Sequence, residues 1–485
     1  MSDKVTEHTS NIFIKRIFGF SMASWVNCLI SLISTPITTA LFVPAELGKV
    51  NLFLSYINIL IPFAYMGFDQ AYVRYYNEPC KGNTSKSLFK LCTVTSLLLS
   101  SIVIFFVLIF GNTLSNNIIG HYSFSIIVSI SVYLLSSVML RYTNLKARME
   151  NNIVDYFIQS VVITIITKLS FVVIAINNPE GEIAIVFRAL LICVCACVFG
   201  VRAIISSRGS QICNIKDSLF ELSKYAIPLF PTVFLVMLNT SMAQIFLEKY
   251  VDYTSIGIYS NAVTISGIIS ILQSGLNTFW TPFVYEYHTQ NNKIQKMHHI
   301  ISFLLIFLAL GMIGGKDIIY LILVDKQYWA SKLIMPLLLV SPVCDTISET
   351  MGLGIELSKK TYLKFPVYCV NILVNLGTCL VLIPRMGVIG AAISNALASL
   401  SMLIVKSVIG EKYYKCSDNY FRLIVGMVSF LIIAVLNIVI DSLFIRLIIV
   451  LIAIIILCVV YYETTKYLVS IAKRMLSEKL QKRSK

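Results

Sequence analysis

Charge is scarce in this sequence. Asp, Glu, Lys and Arg make up 13% of its 485 residues, where a soluble domain carries about a quarter. That leaves too little polar surface for a soluble globular protein of this length. Long polar loops are missing too. The longest candidate, between Arg202 and Lys224, runs about twenty residues, too few for an extramembrane domain. A large catalytic domain outside the membrane is thereby excluded. Cysteine is present but forms no framework. Nearly all twelve cysteines lie in or beside apolar runs, so free thiols are expected. Cys193, Cys195 and Cys197 alternate along one helix and point to different sides, a poor metal site. No glycine-rich loop for ATP phosphates occurs. His298 and His299 are expected in a loop, and adjacent histidines diverge on a helix, so neither a metal nor a cofactor is expected.

What the chain does have is apolar length. Hydrophobic residues make up 57% of it, in runs of about 20 residues, each long enough to cross the hydrocarbon of a bilayer. The runs are continuous rather than alternating, which excludes a β-barrel. The expected fold is an all-α polytopic membrane protein of about fourteen transmembrane helices. The spans fall near 17–42, 50–72, 88–110, 118–140, 153–176, 183–205, 224–247, 254–282, 300–323, 330–357, 362–383, 387–410, 421–440 and 444–469. The first run is too long for a signal-peptide core, so it is expected to be a retained span.

The net charge of +15 could suggest a nucleic-acid partner in a soluble protein. Here it follows topology. About 30 of the 39 basic residues fall on one side of the fourteen spans, which the positive-inside rule assigns to the cytoplasm together with both termini. No nucleic-acid partner is expected.

An internal repeat shows faintly. VPAELGKVNLF is followed about twenty residues on by MGFDQAYVRYY, and VDYTSIGIYSN by SGLNTFWTPF at similar spacing, matching Gly48 to Gly257 and Gly67 to Gly275. Two six-helix lobes follow, residues 1–210 and 211–412, with residues 413–485 as two added helices and a basic tail.

Polar residues line up inside several spans. Helix one carries Ser21, Ser24, Cys28, Ser31, Thr35 and Thr38 on one face, a pattern that also suits close helix packing. Asn58 and Asp69 share a stripe on helix two, and Thr164 and Lys168 share one on helix five. Asn239 lies in helix seven and Asn261 in helix eight. Such faces in a membrane must look at protein or water. Lys168 lies about 22 Å along its helix at 1.5 Å per residue, too deep for its ammonium to reach bulk water fully. Arg188, on the next helix, lies at similar depth. Lys168 either pairs with an acid elsewhere in the bundle or lines a wet anion-binding wall. Arg188 either snorkels outward or joins that wall. Arg74 lies at the cytoplasmic rim.

The order and spacing of RIFGFSMASWVNCLISLISTPITTALFVPAELGKVNLF, GFDQAYVRYYNE, KYAIPLFPTVF, IGIYSNAVTISGI and IPRMGVIGAAISNALASL resemble the O-antigen flippase branch of the multidrug/oligosaccharidyl-lipid/polysaccharide exporter superfamily. The likeness runs along nearly the whole chain, although each motif is loose. It implies a non-enzymatic transporter in a bacterial inner membrane. Such a transporter would move polyprenyl-diphosphate-linked oligosaccharide from inner to outer leaflet by alternating access. It implies a cavity between lobes that is cationic enough for the diphosphate, for which this chain offers Lys168, Arg188 and Arg74 with Asn58, Asp69, Thr164, Asn239 and Asn261 as polar lining. It also implies a polysaccharide polymerase and a chain-length regulator as partners, besides membrane lipids. Many relatives carry a charge within helix seven, where this chain has Asn239, Thr240 and Gln244, so coupling to a proton or sodium gradient is left open. The competing readings are a drug/cation antiporter of the same superfamily, which needs cavity carboxylates, and a membrane-embedded polysaccharide polymerase, which needs a large outer loop.

Overall fold

The computed structural model describes residues 2–79, 83–175, 179–209, 213–270, 289–358, 360–440 and 442–470, with 273, 280, 283, 284, 286, 287 and 473; side chains are described from residue 22 on, except at 169–175 and 361. Among the described residues every regular element is helical. In order they are α1 (Ser2–Leu41), α2 (Pro44–Tyr65), α3 (Phe68–Tyr75), α4 (Ser85–Ile109), α5 (Gly111–Ile119), α6 (Phe124–Met149), α7 (Ile153–Ala175), α8 (Gly181–Ser206), α9 (Ile215–Tyr250) and α10 (Tyr253–Ser266). After the partly described stretch 271–288 come α11 (Asn291–Gly314), α12 (Lys316–Leu323), α13 (Ser331–Leu338), α14 (Val340–Met351), α15 (Leu353–Leu357), α16 (Lys364–Glu411), α17 (Tyr420–Val439) and α18 (Leu443–Val460).

Among the described residues, eleven helical stretches are long and apolar enough to cross a membrane. One of them, α16, has 48 residues, about 72 Å at 1.5 Å per residue. That is more than twice the hydrocarbon thickness, so α16 holds two spans. The break falls at Gly387, with φ 55° and ψ −126°, backbone angles essentially closed to residues with a Cβ. The chain is thus a polytopic all-α membrane protein with about fourteen spans. Large apolar side chains such as Leu98, Ile102, Phe105 and Phe106 lie exposed on one face of α4. A continuous face of this kind is suited to hydrocarbon rather than to water.

The chain forms two compact units. The first comprises Met1–Asn261, Ile322–Trp329 and Asn371–Ser394. Its core gathers Phe53, Tyr65, Tyr72, Phe89, Ile130 and Tyr142 from α2, α3, α4 and α6. Within it, α1 is tied to α7 by Asn27 Nδ2, which donates to Ser160 Oγ at 2.7 Å. The repeated segments of the sequence meet in this unit. A Cβ on Gly48 would overlap the carbonyl oxygen of Tyr253, and a Cβ on Gly257 would overlap that of Pro44. The two glycines therefore face each other across one close contact between segments. Gly275 lies outside the described residues.

The second unit comprises Ala262–Leu321, Ala330–Val370 and Asn395–Lys485. Glu349 of α14 and Glu356 of α15 find partners here. Lys406 Nζ bonds Glu349 Oε1 at 2.5 Å, and Lys364 Nζ bonds Glu356 Oε1 at 2.8 Å. His298 and His299, expected in a loop, instead lie buried near the start of α11. The helix extends further than hydropathy alone indicated because both rings have polar partners. His298 Nδ1 lies 2.9 Å from Thr350 Oγ1, and His299 Nε2 lies 2.5 Å from Asp418 Oδ1.

Asp418 sits in the loop between α16 and α17, and its hydrogen bond to His299 holds its carboxyl below the usual range. A depressed carboxyl contributes stability that is present above its unfolded pKa, about 3.9, and lost as pH falls through the folded value. The melting temperature of Asp418→Asn is therefore expected to fall less steeply below pH ~4 than that of wild type. Thermal unfolding across acid pH checks this, and parallel curves would contradict it.

Candidate functional site

Helices α7 and α8 run side by side and carry the two mid-span cations. Lys168 is half-buried, and its electrostatic neighbours are Arg188 and Cys28. Among the described residues no carboxylate lies within ion-pair distance of Lys168. Thr164, one turn earlier, turns its hydroxyl back to donate to Ser160 O at 2.9 Å. This is the usual way a helix absorbs a threonine in an apolar setting. Arg188 is 8% exposed, with its guanidinium carbon 5.9 Å from the centre of the Tyr133 ring on α6. It is therefore stacked inward rather than snorkelling to an interface. Two like charges held near each other inside a helix bundle repel, and an anion between or beside them relieves the repulsion.

The remaining sequence candidates are placed as follows. Arg74 ends α3 with its side chain 55% exposed, in an ion pair with Glu78 at 3.5 Å. It belongs to the helix end rather than to the Lys168 level. Asp69 is buried, and it accepts from Arg141 Nη2 at 2.9 Å and Nε at 3.2 Å, as well as from Gln70. Its carboxylate is thus occupied by a two-pronged arginine contact. Asn58 is half-buried on α2. Asn239 Oδ1 accepts from Asn375 Nδ2 at 2.7 Å, which ties α9 to α16 within the first unit. Asn261 is buried on α10. The structure brings Lys168 and Arg188 together and leaves Arg74 apart.

Arg141 went unrecognised in the sequence because it lies 72 positions from Asp69, beyond any local spacing rule. Removing it would leave a buried carboxylate without its cation. Arg141→Gln is expected to destabilise the protein by about 2 kcal/mol, discounted because Arg141 is itself partly exposed. Thermal unfolding in detergent reads this. An unchanged melting temperature would show the pair to be ornamental.

With the fold described, comparison with known proteins adds a family. The family described as polysaccharide biosynthesis protein matches residues 13–288, more than half of the chain. The chain belongs to that family. No curated protein matches it. Among solved structures it is similar to lipid II flippase MurJ in an inward closed conformation, at 15% identity and TM-score 0.68, over 94% of this chain and 99% of the other. It is also similar to the MATE multidrug transporter DinF-BH, at 14% identity and TM-score 0.58, over 82% and 94%. A third is an inward-facing multidrug resistance MATE family transporter of the MOP superfamily, at 14% identity and TM-score 0.55, over 79% and 94%. At such identities these likenesses establish a shared fold, that of polytopic transporters.

Proposed function

We propose that the protein is a flippase that carries polyprenyl-diphosphate-linked oligosaccharide, an O-antigen or related surface repeat unit, from the inner to the outer leaflet. The observation that carries this reading is the pair Lys168 and Arg188, close together within a bundle and with no acid at ion-pair distance from Lys168 among the described residues. A diphosphate-sugar headgroup cannot cross hydrocarbon alone, because burying unpaired charge costs many kcal/mol. A cationic cavity supplies ammonium and guanidinium donors in place of water. Asn58, Thr164, Asn239 and Asn261 would line the path for sugar hydroxyls, while the lipid tail stays in the bilayer. Arg74 would meet the headgroup at the cytoplasmic rim. No bond is made or broken, so the protein works as a transporter rather than an enzyme.

In this reading two six-helix lobes, residues 1–210 and 211–412, alternate access around the cavity, with 413–485 appended. The setting is a bacterial inner membrane with both termini cytoplasmic, as the Lys/Arg bias favours. A polymerase and a chain-length regulator would take up the product. Transport would be coupled to a proton or sodium gradient. A drug/cation antiporter is disfavoured, because Lys168 and Arg188 would repel a cationic drug.

A strain lacking the protein is expected to accumulate lipid-linked repeat units on the cytoplasmic face. Accumulation of single units already on the outer face would place the lesion at polymerisation and contradict the reading.

A further inference from the structure

A second basic site lies in the first unit, away from the Lys168 level. The end of α3, the start of α4 and the ends of α6 and α8 enclose a pocket of about 610 Å³, whose charged lining is Lys86, Lys146, Arg208 and Glu150. Three cations thus face one carboxylate. Lys146 is the most informative of them. Its side chain is 6% exposed, and Glu150, at 3.9 Å, is only loosely engaged. Its closer partners are neutral: Ala203 O and Ser207 Oγ, each at 3.0 Å. The Phe89 ring backs the ammonium at 5.1 Å. A buried ammonium held mainly by neutral oxygens is under-compensated.

Two independent features point the same way. Tyr72, a pocket residue, is fully buried, yet its hydroxyl has no hydrogen-bond partner among the described residues. Its electrostatic neighbours are Tyr76 and Glu150, both also pocket residues, and Cys92. A buried hydroxyl without a partner costs about 1–3 kcal/mol, and a ligand oxygen would recover that. The second feature is the start of α4. Thr84 and Ser87 close a capping box there, which leaves the amides of Ser85 and Lys86 without intrahelical acceptors. The positive end of a 25-residue helix aimed at a basic pocket is an anion cradle.

We infer that this pocket binds a phosphate group, with Tyr72 and the α4 amides donating hydrogen bonds and Lys146, Lys86 and Arg208 supplying charge. The phosphate could belong to a lipid headgroup of the adjacent leaflet or be free in solution. Both present the same tetrahedral oxyanion. The site is separate from the Lys168–Arg188 pair and does not depend on the transport reading.

The test is calorimetric titration of the purified full-length protein in detergent with inorganic phosphate and with short-chain phosphatidic acid; short-chain phosphatidylcholine serves as control. Every titration is repeated on Lys168→Ala, so that binding at the mid-span pair is told apart from binding at this pocket. Saturable binding is expected in both backgrounds. Tyr72→Phe, which removes one oxygen, and Arg208→Gln, at an exposed position, are each expected to weaken it about tenfold. Tighter binding of phosphatidic acid would name a headgroup as the source, and equal binding would name free phosphate. Either supports the site. Absence of saturable binding, its loss in Lys168→Ala, or unchanged affinity in folded Tyr72→Phe and Arg208→Gln proteins would overturn the inference.

Discussion

Lys168→Ala is expected to slow flipping of a lipid-diphosphate oligosaccharide by about tenfold to a hundredfold, the loss of one charge-assisted contact to a phosphate oxygen at roughly 1.5–3 kcal/mol. Lys168→Arg should retain most activity, and Lys168→Glu should abolish it. The fold responds in the opposite sense. Lys168 is half-buried beside Arg188 with no acid at ion-pair distance among the described residues. Removing its charge relieves repulsion, and the melting temperature of Lys168→Ala should hold or rise. Slower transport with preserved stability separates a substrate contact from a structural pair, which would lose both. Arg188→Gln should follow the same pattern for transport. It should also lose some stability, because its guanidinium packs on Tyr133.

Gly48→Ala and Gly257→Ala are expected to lose transport almost entirely and to lower stability by about 1–3 kcal/mol each, the usual cost of overpacking. Each new methyl would meet a backbone carbonyl of the opposing segment, Tyr253 O or Pro44 O. No side-chain rotation can relieve such an overlap. Because both overlaps lie between the same two segments, the double substitution should cost less than the sum of the singles. Gly377→Ala is the control. Its Cβ would meet nothing within 4 Å, so it should be neutral or slightly stabilising within its helix. Transport in proteoliposomes and thermal unfolding of the four variants check the set. Wild-type behaviour of Gly48→Ala would show that the seam opens without cost.

These two predictions draw on parts of the chain that were unequally legible. The helical fold was readable because a bilayer forces backbone groups to bond within each apolar segment, so span length alone identifies the elements. The matched glycines were visible as a faint repeat. Their reciprocal contact depends on tertiary packing between segments about 200 residues apart, which spacing does not encode. Lys168 was conspicuous as an ammonium in an apolar run. Its nearness to Arg188 followed from adjacent helices at equal depth. The Asp69–Arg141 pair, the partner of Glu349, and Lys146 in its pocket were illegible, because each joins helices far apart in sequence. His298 and His299 were misplaced in a loop, because hydropathy does not register a helix start satisfied by polar side chains from other helices.

The account rests on movement of a lipid diphosphate by this chain alone. The direct measurement is reconstitution of the purified protein into liposomes with a polyprenyl-diphosphate oligosaccharide. Its appearance in the opposite leaflet is followed by an enzyme or lectin confined to one side. Wild type should transfer the lipid at a rate well above protein-free vesicles, and Lys168→Ala should do so about tenfold more slowly or worse. Transfer by Lys168→Ala at the wild-type rate, or none by wild type across a panel of repeat units, would contradict it.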